Sequence, residues 1–437
     1  MLVNFSVQNY RSIRDKVTLS FEATKSKDLG EYYVVEPKPG LRVLKMGIIY
    51  GANASGKTNI LKALNFVRRL IVTPLGSKTD RISLSPFEFD QATKHENSFF
   101  SVEFVHQEVK YLWEIELNTQ AIVNETLYFS KPNKALVYRR TTNEERQLTQ
   151  IEFGSKPEVK LEKLKREILQ INTLWNQTVL SGYLRTNFES IHLQNCLSWF
   201  QDYLKPLILP QTSLISFVSR ELEANTIDKA LVLEILSKAD FNISGITFRE
   251  GEKVDPKVLN LLTRTLGTEE SEISEHAGKL EIKRKQILFE HTVLNEGEEE
   301  KYNLPFRDQS RGTQRFYEFA GLLSSILEKN ALLSIDELES TLHPDLVEYF
   351  ILLMLRNTTK SQLLTTTHFR ELLNERDLFR NDIIWFTEKR ENGSTDLYSL
   401  ADFDTSVIRK DSSIYSAYKV GKLGSVPLLA SEFISTK

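Results

Sequence analysis

The chain has 437 residues, and its 56 Lys and Arg against 59 Asp and Glu give a formal net charge of −3. Its one cysteine, Cys196, excludes an internal disulfide and a cysteine-rich zinc site. No apolar run approaches the roughly 20 residues of a membrane span, and no basic region precedes an apolar run at the start. We therefore expect a cytoplasmic protein without a signal peptide. The near-neutral charge argues against a surface coated with basic residues for bulk nucleic-acid binding.

The first 150 residues combine strands with one helix. Alternating apolar and polar residues predict strands, and an apolar run that ends at Gly51 predicts a buried strand. Apolar residues at helical spacing over 59–72 predict a helix with one buried face. The predicted strands cover 1–7, 17–21, 43–50, 99–104, 112–117 and 126–129.

The middle of the chain, from about residue 155, has a different pattern. Helices are predicted over 191–204 and 227–236, and strands over 243–248 and 280–294. No heptad pattern is sustained over several repeats, so a long coiled coil is not expected.

From about residue 306 the chain again alternates between strands and helices. Two short apolar runs bracket Gly393 and Ser394, which predicts a hairpin. Such alternation predicts a mostly parallel sheet covered by helices. The predicted helices cover 316–327 and 346–355, and the strands 331–335, 363–367, 383–386 and 397–400.

Residues 51–58 match the phosphate-loop pattern G-x-x-x-x-G-K-[ST] in full. Glycines let the backbone curl so that its N–H groups point at phosphate oxygens, and the following helix adds its positive N-terminal end. We expect Lys57 to reach the β- and γ-phosphates of ATP and Thr58 to bind Mg²⁺. The alternative is a glycine-rich turn with an incidental lysine, and the flanking strand and helix disfavour it. The predicted nucleotide-binding residues here are Gly51, Asn53, Ala54, Ser55, Gly56, Lys57, Thr58 and Asn59.

A second motif is the apolar run 332–335 followed by Asp336 and Glu337. A strand that ends in a carboxylate delivers it to the carboxyl edge of the sheet, where ligands of α/β proteins bind. Asp336 is expected to hold Mg²⁺ through water, and Glu337 to orient and deprotonate the attacking water. The alternative is a strand that runs into a polar turn.

Three further residues gain weight only from their order along the chain. Ser310 and Gly312 open a predicted helix about twenty residues before the Asp-Glu strand, where they could bind a γ-phosphate offered by a second subunit. The alternative is that Ser310 is a plain helix N-cap. His368 follows the strand 363–367 and could hydrogen-bond the γ-phosphate or the attacking water, although a lone histidine there is usually structural.

The order of these motifs resembles that of the ABC-type ATPase heads of the RecF/SMC/OLD group. More narrowly, it is similar to the AAA-type ATPases of bacterial phage-defence operons, of the RloA/AbiL and AriA kind. The segments that carry the resemblance are 5–13, 51–58 (Walker A), 332–337 (Walker B), 340–344 and 418–427.

The resemblance implies roles for individual residues. Ser310 and Gly312 match the signature motif that contacts the ATP of an opposing protomer, and His368 matches the switch histidine. Residues 340–343 match the D-loop that joins the two sites. Arg311 stands where many relatives have glycine, and this departure is expected to affect the rate of ATP hydrolysis more than the binding of ATP.

Three more positions concern the nucleotide. Arg11 and Ser12 lie where this group approaches the nucleotide. Gln91 is a candidate for the Q-loop and could equally be a surface loop residue.

The resemblance also implies a fold and an organisation. We expect an α/β P-loop ABC-type head with a mixed, largely parallel sheet, helices and an N-terminal antiparallel β part. The Walker A lobe would span 1–150. An insertion for partner or dimer contacts would span 151–300. The lobe with the signature, Walker B and the switch histidine would span 301–437.

The implied function is that of an ATPase subunit of an anti-phage defence system. Two heads would form a homodimer, or a higher even-numbered assembly, around two ATP molecules with Mg²⁺. They would hold or activate a partner nuclease or toxin. OLD-type relatives carry a nuclease after the ATPase, but only about seventy residues follow His368, too few for a typical domain. We therefore expect an effector in trans and no membrane partner.

Four alternatives stay open. The chain could be a RecF-like repair clamp that binds DNA, or a weakly hydrolysing scaffold. Arg185 and His192, with six residues between them on a possible helix, resemble the pattern of HEPN ribonucleases, but two exposed polar residues are more common. The basic run 283–285 could contact a phosphate backbone, although such a run is more often the solvated face of a strand.

Overall fold

The computed structural model describes residues 1–239, 241–250, 272–276, 279–283, 285–375, 378–403 and 414–425. These residues form two compact units. The first unit comprises residues 1–210, 330–338 and 355–437, and the second comprises 211–329 and 339–354. Arg284 of the basic run 283–285 and residues 426–427 of the segment 418–427 lie outside the described residues.

The helices and strands are numbered here in chain order. Helices of four residues or more are α1 (Gly30–Tyr33), α2 (Lys57–Val72), α3 (Lys163–Asn172), α4 (Val179–Tyr183), α5 (Ile191–Ser198), α6 (Ile215–Glu223), α7 (Lys229–Lys238), α8 (Arg311–Glu328), α9 (Pro344–Asn357) and α10 (Ile414–Lys419). The strands of the first unit are β1 (Leu2–Gln8), β2 (Val17–Ser20), β3 (Val34–Lys38), β4 (Leu41–Leu44), β5 (Met46–Gly51), β6 (Ser98–His106), β7 (Val109–Leu117), β8 (Ile122–Ser130), β9 (Lys134–Asn143), β10 (Leu148–Phe153), β16 (Leu332–Ile335), β17 (Gln362–Thr366), β18 (Ile384–Lys389) and β19 (Thr395–Ser399). The strands of the second are β11 (Ile243–Glu250), β12 (Glu272–His276), β13 (Lys279–Lys283), β14 (Lys285–Asn295) and β15 (Glu298–Pro305).

The described residues also contain short tight helical turns. They lie at Thr93–His95, Pro157–Val159, Phe306–Asp308, Arg370–Asn374, Asn381–Ile383 and Leu400–Asp402, and one wider turn lies at Trp199–Tyr203.

The first unit contains a seven-stranded antiparallel sheet in the order β10-β9-β8-β7-β6-β1-β2. Strand β7 alternates strictly between buried and half-buried residues, as its sequence VKYLWEIEL requires of a strand with one covered face. Trp113 on this strand is fully buried. The prediction of an N-terminal antiparallel β part is confirmed.

The second sheet of this unit has the order β16-β17-β5-β18-β19. Strands β16, β17, β5 and β18 run parallel, and β19 returns antiparallel to β18. All six residues of β5 and all five of β17 are buried, as expected of central strands covered on both faces. The predicted mixed, largely parallel sheet is confirmed, and so is the hairpin β18–β19.

Helix α2 follows β5 after the loop formed by residues 52–56. It buries one side through apolar residues at helical spacing, which matches the predicted helix except that it begins two residues earlier. The buried apolar residues are Ile60, Leu61, Ala63, Leu64, Val67 and Ile71.

Residues 157–203 belong to the first unit because buried polar groups attach them to its antiparallel sheet. The Glu125 carboxylate on β8 accepts from the backbone N–H of Val179 at 2.8 Å and from Trp113 Nε1 at 3.0 Å. The buried Arg140 guanidinium on β9 donates to the carbonyl of Trp175 at 2.8 Å. A buried carboxylate left without these donors would be costly, so the attachment is strong.

The second unit combines helices α6, α7 and α8 and most of α9 with two small sheets. Strands β11, β14 and β15 form an antiparallel sheet, and β12 pairs with β13. Phe289 of β14 packs edge-on against Tyr317 of α8, with ring centroids 5.1 Å apart.

The boundaries of these units differ from those of the lobes expected from sequence. Residues 151–210 lie in the first unit, and the segment that carries Ser310 lies in the second. The assignment of functions to the three segments stays a prediction.

Candidate functional site

The loop between β5 and α2 has the backbone of a phosphate-binding cradle. Gly51 has φ +158° and Gly56, the residue before α2, has φ +108°. Ala54 adopts φ +62°, an uncommon conformation for a residue with a side chain. These angles curl the loop around the first turn of a sixteen-residue helix, whose N-terminal N–H groups and dipole favour an anion.

Gly51 and Gly56 are required by close approach as well as by backbone angle. A Cβ at Gly51 would lie 2.5 Å from Thr387 Oγ1 and 2.6 Å from the Thr387 carbonyl oxygen. A Cβ at Gly56 would overlap Thr395 Oγ1. Both threonines come from the β18–β19 hairpin, so the hairpin packs directly on the loop.

Lys57 points its ammonium group back over the loop. Its Nζ donates to the carbonyls of Gly51 at 2.9 Å and Ala52 at 3.1 Å, and only 6% of the residue is exposed. The first turn of α2 therefore carries a cation held at the mouth of the cradle, as binding of an anionic phosphate requires.

Thr58 and Asp336 meet, although they are 278 residues apart in sequence. Thr58 Oγ1 lies 3.0 Å from each carboxylate oxygen of Asp336, which is 4% exposed. Asp336 comes directly after β16, and β17 lies between β16 and β5. The carboxyl ends of parallel strands share one edge of a sheet, so this topology brings the two residues together.

Thr366, the last residue of β17, completes this pair. Its hydroxyl donates to Asp336 Oδ1 at 2.7 Å and accepts from the backbone N–H of Glu337 at 2.8 Å. Glu337 has φ +49°, and such strain in a non-glycine residue is typical of functional sites. The hydrogen bond from the Glu337 N–H to Thr366 Oγ1 fixes the backbone at the start of Glu337.

These residues fit a magnesium nucleotide. The positive-φ residues of the loop curl its backbone, the helix and Lys57 supply positive charge, and a hydroxyl and a carboxylate converge beside them. Magnesium prefers oxygen ligands and usually keeps several waters together with one or two protein groups. Elsewhere in the described ranges, no three His, Cys, Asp or Glu side chains are placed to share a metal ion.

The family described as "AAA domain, putative AbiEii toxin, Type IV TA system" matches residues 48–374, about three-quarters of the chain. The chain belongs to this AAA-domain family. The match contains the loop 51–58 and the pair Asp336 and Glu337, and it confirms the prediction of a P-loop ATPase domain. No curated protein matches the chain.

Several solved structures are similar in fold. One is the SMC head domain from Thermotoga maritima, at 12% identity and TM-score 0.40, covering 91% of this chain and 98% of that one. A second is an SMC head bound to the C-terminal winged-helix domain of ScpA, at 11% identity and TM-score 0.40, covering 91% and 97%. A third is an Smc head domain derived from Pyrococcus furiosus, at 12% identity and TM-score 0.38, covering 97% and 98%.

Ser12 and Asn59 of this AAA-domain protein lie beside the loop, whereas Arg11 makes other contacts. Asn59 Nδ2 donates to Ser12 Oγ at 2.7 Å. Arg11 is exposed, has φ +52°, and donates from Nε to the hydroxyl of Tyr10 at 3.3 Å. Ser12 therefore contacts the first turn of α2 through Asn59, and the contacts of Ser12 and Arg11 with a nucleotide stay predictions.

The remaining predicted residues of the loop differ in their exposure. Asn53 and Ala54 are exposed, whereas Ser55 is buried, with its hydroxyl 2.7 Å from Thr387 Oγ1.

His368 is exposed and comes two residues after β17, the strand that lies between β16 and β5. Its backbone position is at the predicted edge, and its role stays a prediction.

Ser310 and Gly312 open α8 in the second unit. Ser310 is the N-cap, since its Oγ accepts from the backbone N–H of Thr313 at 3.1 Å. A Cβ on Gly312 would lie 3.2 Å from the Thr341 carbonyl, so the signature-like and D-loop-like segments touch within this unit. The alternative of an N-cap is thus observed for Ser310, and its contact with a second subunit stays a prediction.

Three threonines that the sequence analysis did not single out contribute to the site. They are Thr366, Thr387 and Thr395. Thr366 lies one residue before the end of the strand predicted over 363–367, at the edge that carries the motifs, so its position was the one available signal. Thr387 and Thr395 lie in a hairpin more than 320 residues after the loop, and no local pattern marks them.

The HEPN-like pair does not form the predicted pattern. Arg185 follows α4 and donates to the Leu75 carbonyl, whereas His192 lies in the separate helix α5. His192 is 5% exposed, its Nδ1 lies 3.0 Å from the Tyr111 hydroxyl, and burial lowers its pKa. A buried histidine packed 4.1 Å from the Phe129 ring cannot meet an RNA strand.

Other sequence features have plain outcomes. Gln91 is exposed in a turn, and no contact with the loop marks it as a Q-loop residue. Cys196 is free and buried, and burial raises the pKa of its thiol. Of the helices in the described part of the chain, none is both long and apolar enough to cross a membrane.

Proposed function

We propose that this AAA-domain protein binds ATP with Mg²⁺ on the loop 51–58 and hydrolyses it, and that two subunits close around two ATP molecules. The observation that carries the proposal is the pairing of Thr58 Oγ1 with both oxygens of Asp336 at 3.0 Å beside the glycine cradle. Phosphoryl transfer in P-loop proteins depends on positioning and charge rather than on covalent chemistry, and this pairing supplies both.

Each residue has a task that follows from its place. Backbone N–H groups of the loop and Lys57 bind the phosphates. Thr58 and Asp336 hold Mg²⁺, whose chemistry is to neutralise charge on the β- and γ-oxygens. Glu337, the residue after Asp336, orients the attacking water and accepts its proton. His368, after the neighbouring strand, hydrogen-bonds the γ-phosphate or that water.

Ser310 and Gly312 contact the ATP of the opposing subunit in this proposal. A helix N-terminus that begins with a serine and a small residue is a common place for an anion to bind, which supports their role. Binding of ATP then couples to dimerisation and turns the nucleotide into a conformational signal. Biologically, we propose an abortive-infection type of anti-phage system in which the dimer holds or activates a nuclease or toxin. The family description, which names a putative toxin of a type IV system, supports this.

Replacing Glu337 with Gln tests the catalytic assignment. Glu337→Gln keeps the shape of the side chain but removes its basicity, so turnover of ATP should fall at least a hundredfold while ATP binding persists. Glu371→Gln, at an exposed position after β17, is the matched control and should keep full turnover. Unchanged hydrolysis in Glu337→Gln would refute the assignment.

A second experiment tests the biological part. Cells that carry the gene with its neighbours should resist phage, and Lys57→Ala should abolish resistance. Salt-sensitive, ATP-dependent binding of duplex DNA by the purified protein, with no effect of Lys57→Ala on phage growth, would instead support the RecF-like alternative.

A further inference from the structure

The β18–β19 hairpin contacts the phosphate-binding loop through two buried hydroxyl groups. Thr387 Oγ1 lies 2.7 Å from Ser55 Oγ, and Thr395 Oγ1 donates to the Ser55 carbonyl at 2.8 Å. Thr387 is fully buried and Thr395 is 3% exposed. The middle of the loop is therefore held by side chains from a strand pair near the other end of the chain.

The hydrogen bonds around Thr395 have one consistent direction. Thr395 has a single hydroxyl hydrogen, which the Ser55 carbonyl accepts, so the 2.7 Å contact with Ser12 Oγ requires that Ser12 donates. Ser12 Oγ in turn accepts from Asn59 Nδ2 at 2.7 Å. A chain of three bonds thus runs from Asn59 through Ser12 and Thr395 to Ser55, with every donor and acceptor assigned.

This chain joins both sides of the cradle. Asn59 lies in the first turn of α2, and Ser55 lies in the loop before it. The backbone N–H of Thr395 also donates to the Ser12 carbonyl at 2.7 Å, so the strand position is fixed independently of the hydroxyl. Networks of buried hydrogen bonds in which each member is satisfied rigidify the groups they connect.

The hairpin itself is anchored on its other side. Tyr398, three residues further along β19, donates to the Leu423 carbonyl at 2.9 Å, and its hydroxyl lies 2.9 Å from Ser425 Oγ. A functional loop is positioned well only when its supporting residues are themselves held. The segment that contains Leu423 provides that second support.

We propose that Thr395 is a positioning residue for ATP binding, because its hydroxyl holds the Ser55 carbonyl and Ser12 so that the loop presents its N–H groups to the phosphates. Thr395 does not touch the reacting atoms. The inference rests on the proposed ATP binding at this loop and adds a residue outside every motif recognised in the sequence.

The test separates the hydroxyl from the shape of the side chain. Thr395→Val removes the hydroxyl at nearly constant volume, and Thr395→Ser keeps it. Because a buried hydrogen bond is lost at the loop, we expect Thr395→Val to weaken binding of a non-hydrolysable ATP analogue roughly five- to tenfold and to raise KM similarly. We expect kcat to change less than twofold, and Thr395→Ser to remain within about twofold of the unchanged protein in both quantities.

Thr173→Val is the matched control. Thr173 is equally buried and its Oγ1 donates to the Leu169 carbonyl at 2.7 Å, away from the loop, so its replacement should leave KM unchanged. A merely structural role for Thr395 would lower kcat through loss of folded protein and leave KM in place. Analogue affinity in Thr395→Val equal to that of the unchanged protein would overturn the positioning role alone. Absence of analogue binding to the unchanged protein would overturn both this role and the proposed function.

Discussion

Thr58 Oγ1 lies 3.0 Å from each carboxylate oxygen of Asp336 at the carboxyl edge of the parallel sheet. Asp336 follows β16, Thr58 lies in the helix that follows β5, and β17 lies between these two strands. Thr366 on that intervening strand donates to the same carboxylate at 2.7 Å. The Asp336 carboxylate thus accepts hydrogen bonds from two threonines, and it joins the ends of β16 and β17 to the first turn of α2. The contact lies beside the glycine cradle, where a divalent cation bound together with a triphosphate would need oxygen ligands from the protein.

The first prediction concerns the dependence on magnesium. Asp336→Asn removes the negative charge that holds Mg²⁺, so ATP turnover should fall roughly tenfold or more and require a higher Mg²⁺ concentration. Thr58→Ser keeps the hydroxyl and should retain most activity. Titration of turnover against Mg²⁺ measures both. Asp396→Asn, in an exposed ion pair with Arg390, serves as control, and an unaltered Mg²⁺ requirement in Asp336→Asn would contradict the prediction.

The second prediction concerns Gly56. Gly56→Ala places a side chain at φ +108° and against Thr395 Oγ1, so the free energy of unfolding should fall by about 1–3 kcal/mol and ATP binding should weaken. Chemical denaturation and equilibrium binding measure the two effects. In the double variant Gly56→Ala/Thr395→Ala the clashes with Oγ1 and Cγ2 are removed and only the Cβ of residue 395, 2.9 Å away, stays close, so the combined loss should be smaller than the sum of the two. Strictly additive losses would show that the close approach has no energetic weight.

The central elements could be predicted because local chemistry determines them. The glycines at 51 and 56, the helical stripe of α2 and the apolar run of β16 each carry their own signal. Parallel strands end at one edge, so the fold class predicts that Thr58 and Asp336 lie at the same edge of the sheet, and the strand order then brings them into contact. These features need no knowledge of which distant side chains pack together.

Other elements depend on partners that the local sequence does not reveal. The strand expected over 43–50 is two strands, divided at Lys45, whose buried Nζ donates to the carbonyls of Leu355 and Thr358 more than 300 residues away. Strand β15 begins with three glutamates and gave no strand pattern, yet it pairs with β14 along its whole length. The expected strand 280–294 is likewise divided, because β13 and β14 belong to different sheets.

Thr387 and Thr395 are the clearest case of a site contact hidden from the sequence. Threonine is common in strands, and the spacing of the two residues around a predicted hairpin indicates only a β-turn. Their importance comes from the absence of side chains at Gly51 and Gly56, which lets the hairpin approach the loop. That complementarity exists only once both ends of the chain are folded together.

The third prediction concerns pH. Burial lowers the pKa of His106 from 6.5 to about 4, and its Nε2 lies 2.9 Å from Ser198 Oγ. The unfolded chain therefore binds a proton between pH 6.5 and 4 that the folded protein does not, so the free energy of unfolding should decrease as pH falls through this window. His106→Gln should flatten that dependence, and the exposed His95→Gln should not. Equal slopes in all three proteins, by denaturation at several pH values, would contradict the prediction.

The fourth prediction concerns the composite site of the proposed dimer. Ser310→Asp keeps a good N-cap on α8 but places a negative charge where the γ-phosphate of a second subunit is expected. Lys57→Ala removes the cation of the other half-site. Each variant alone should be inactive, because every site then lacks one component.

Mixing the two variants should restore activity. In a mixed dimer one site carries both changes and the other combines an intact Lys57 with an intact Ser310. With random exchange and independent sites, turnover should recover to about one quarter of the unchanged protein. Two Lys57→Ala preparations mixed in the same way are the control. Confirmed subunit exchange without any recovery would show that Ser310 acts only as the N-cap of its own helix.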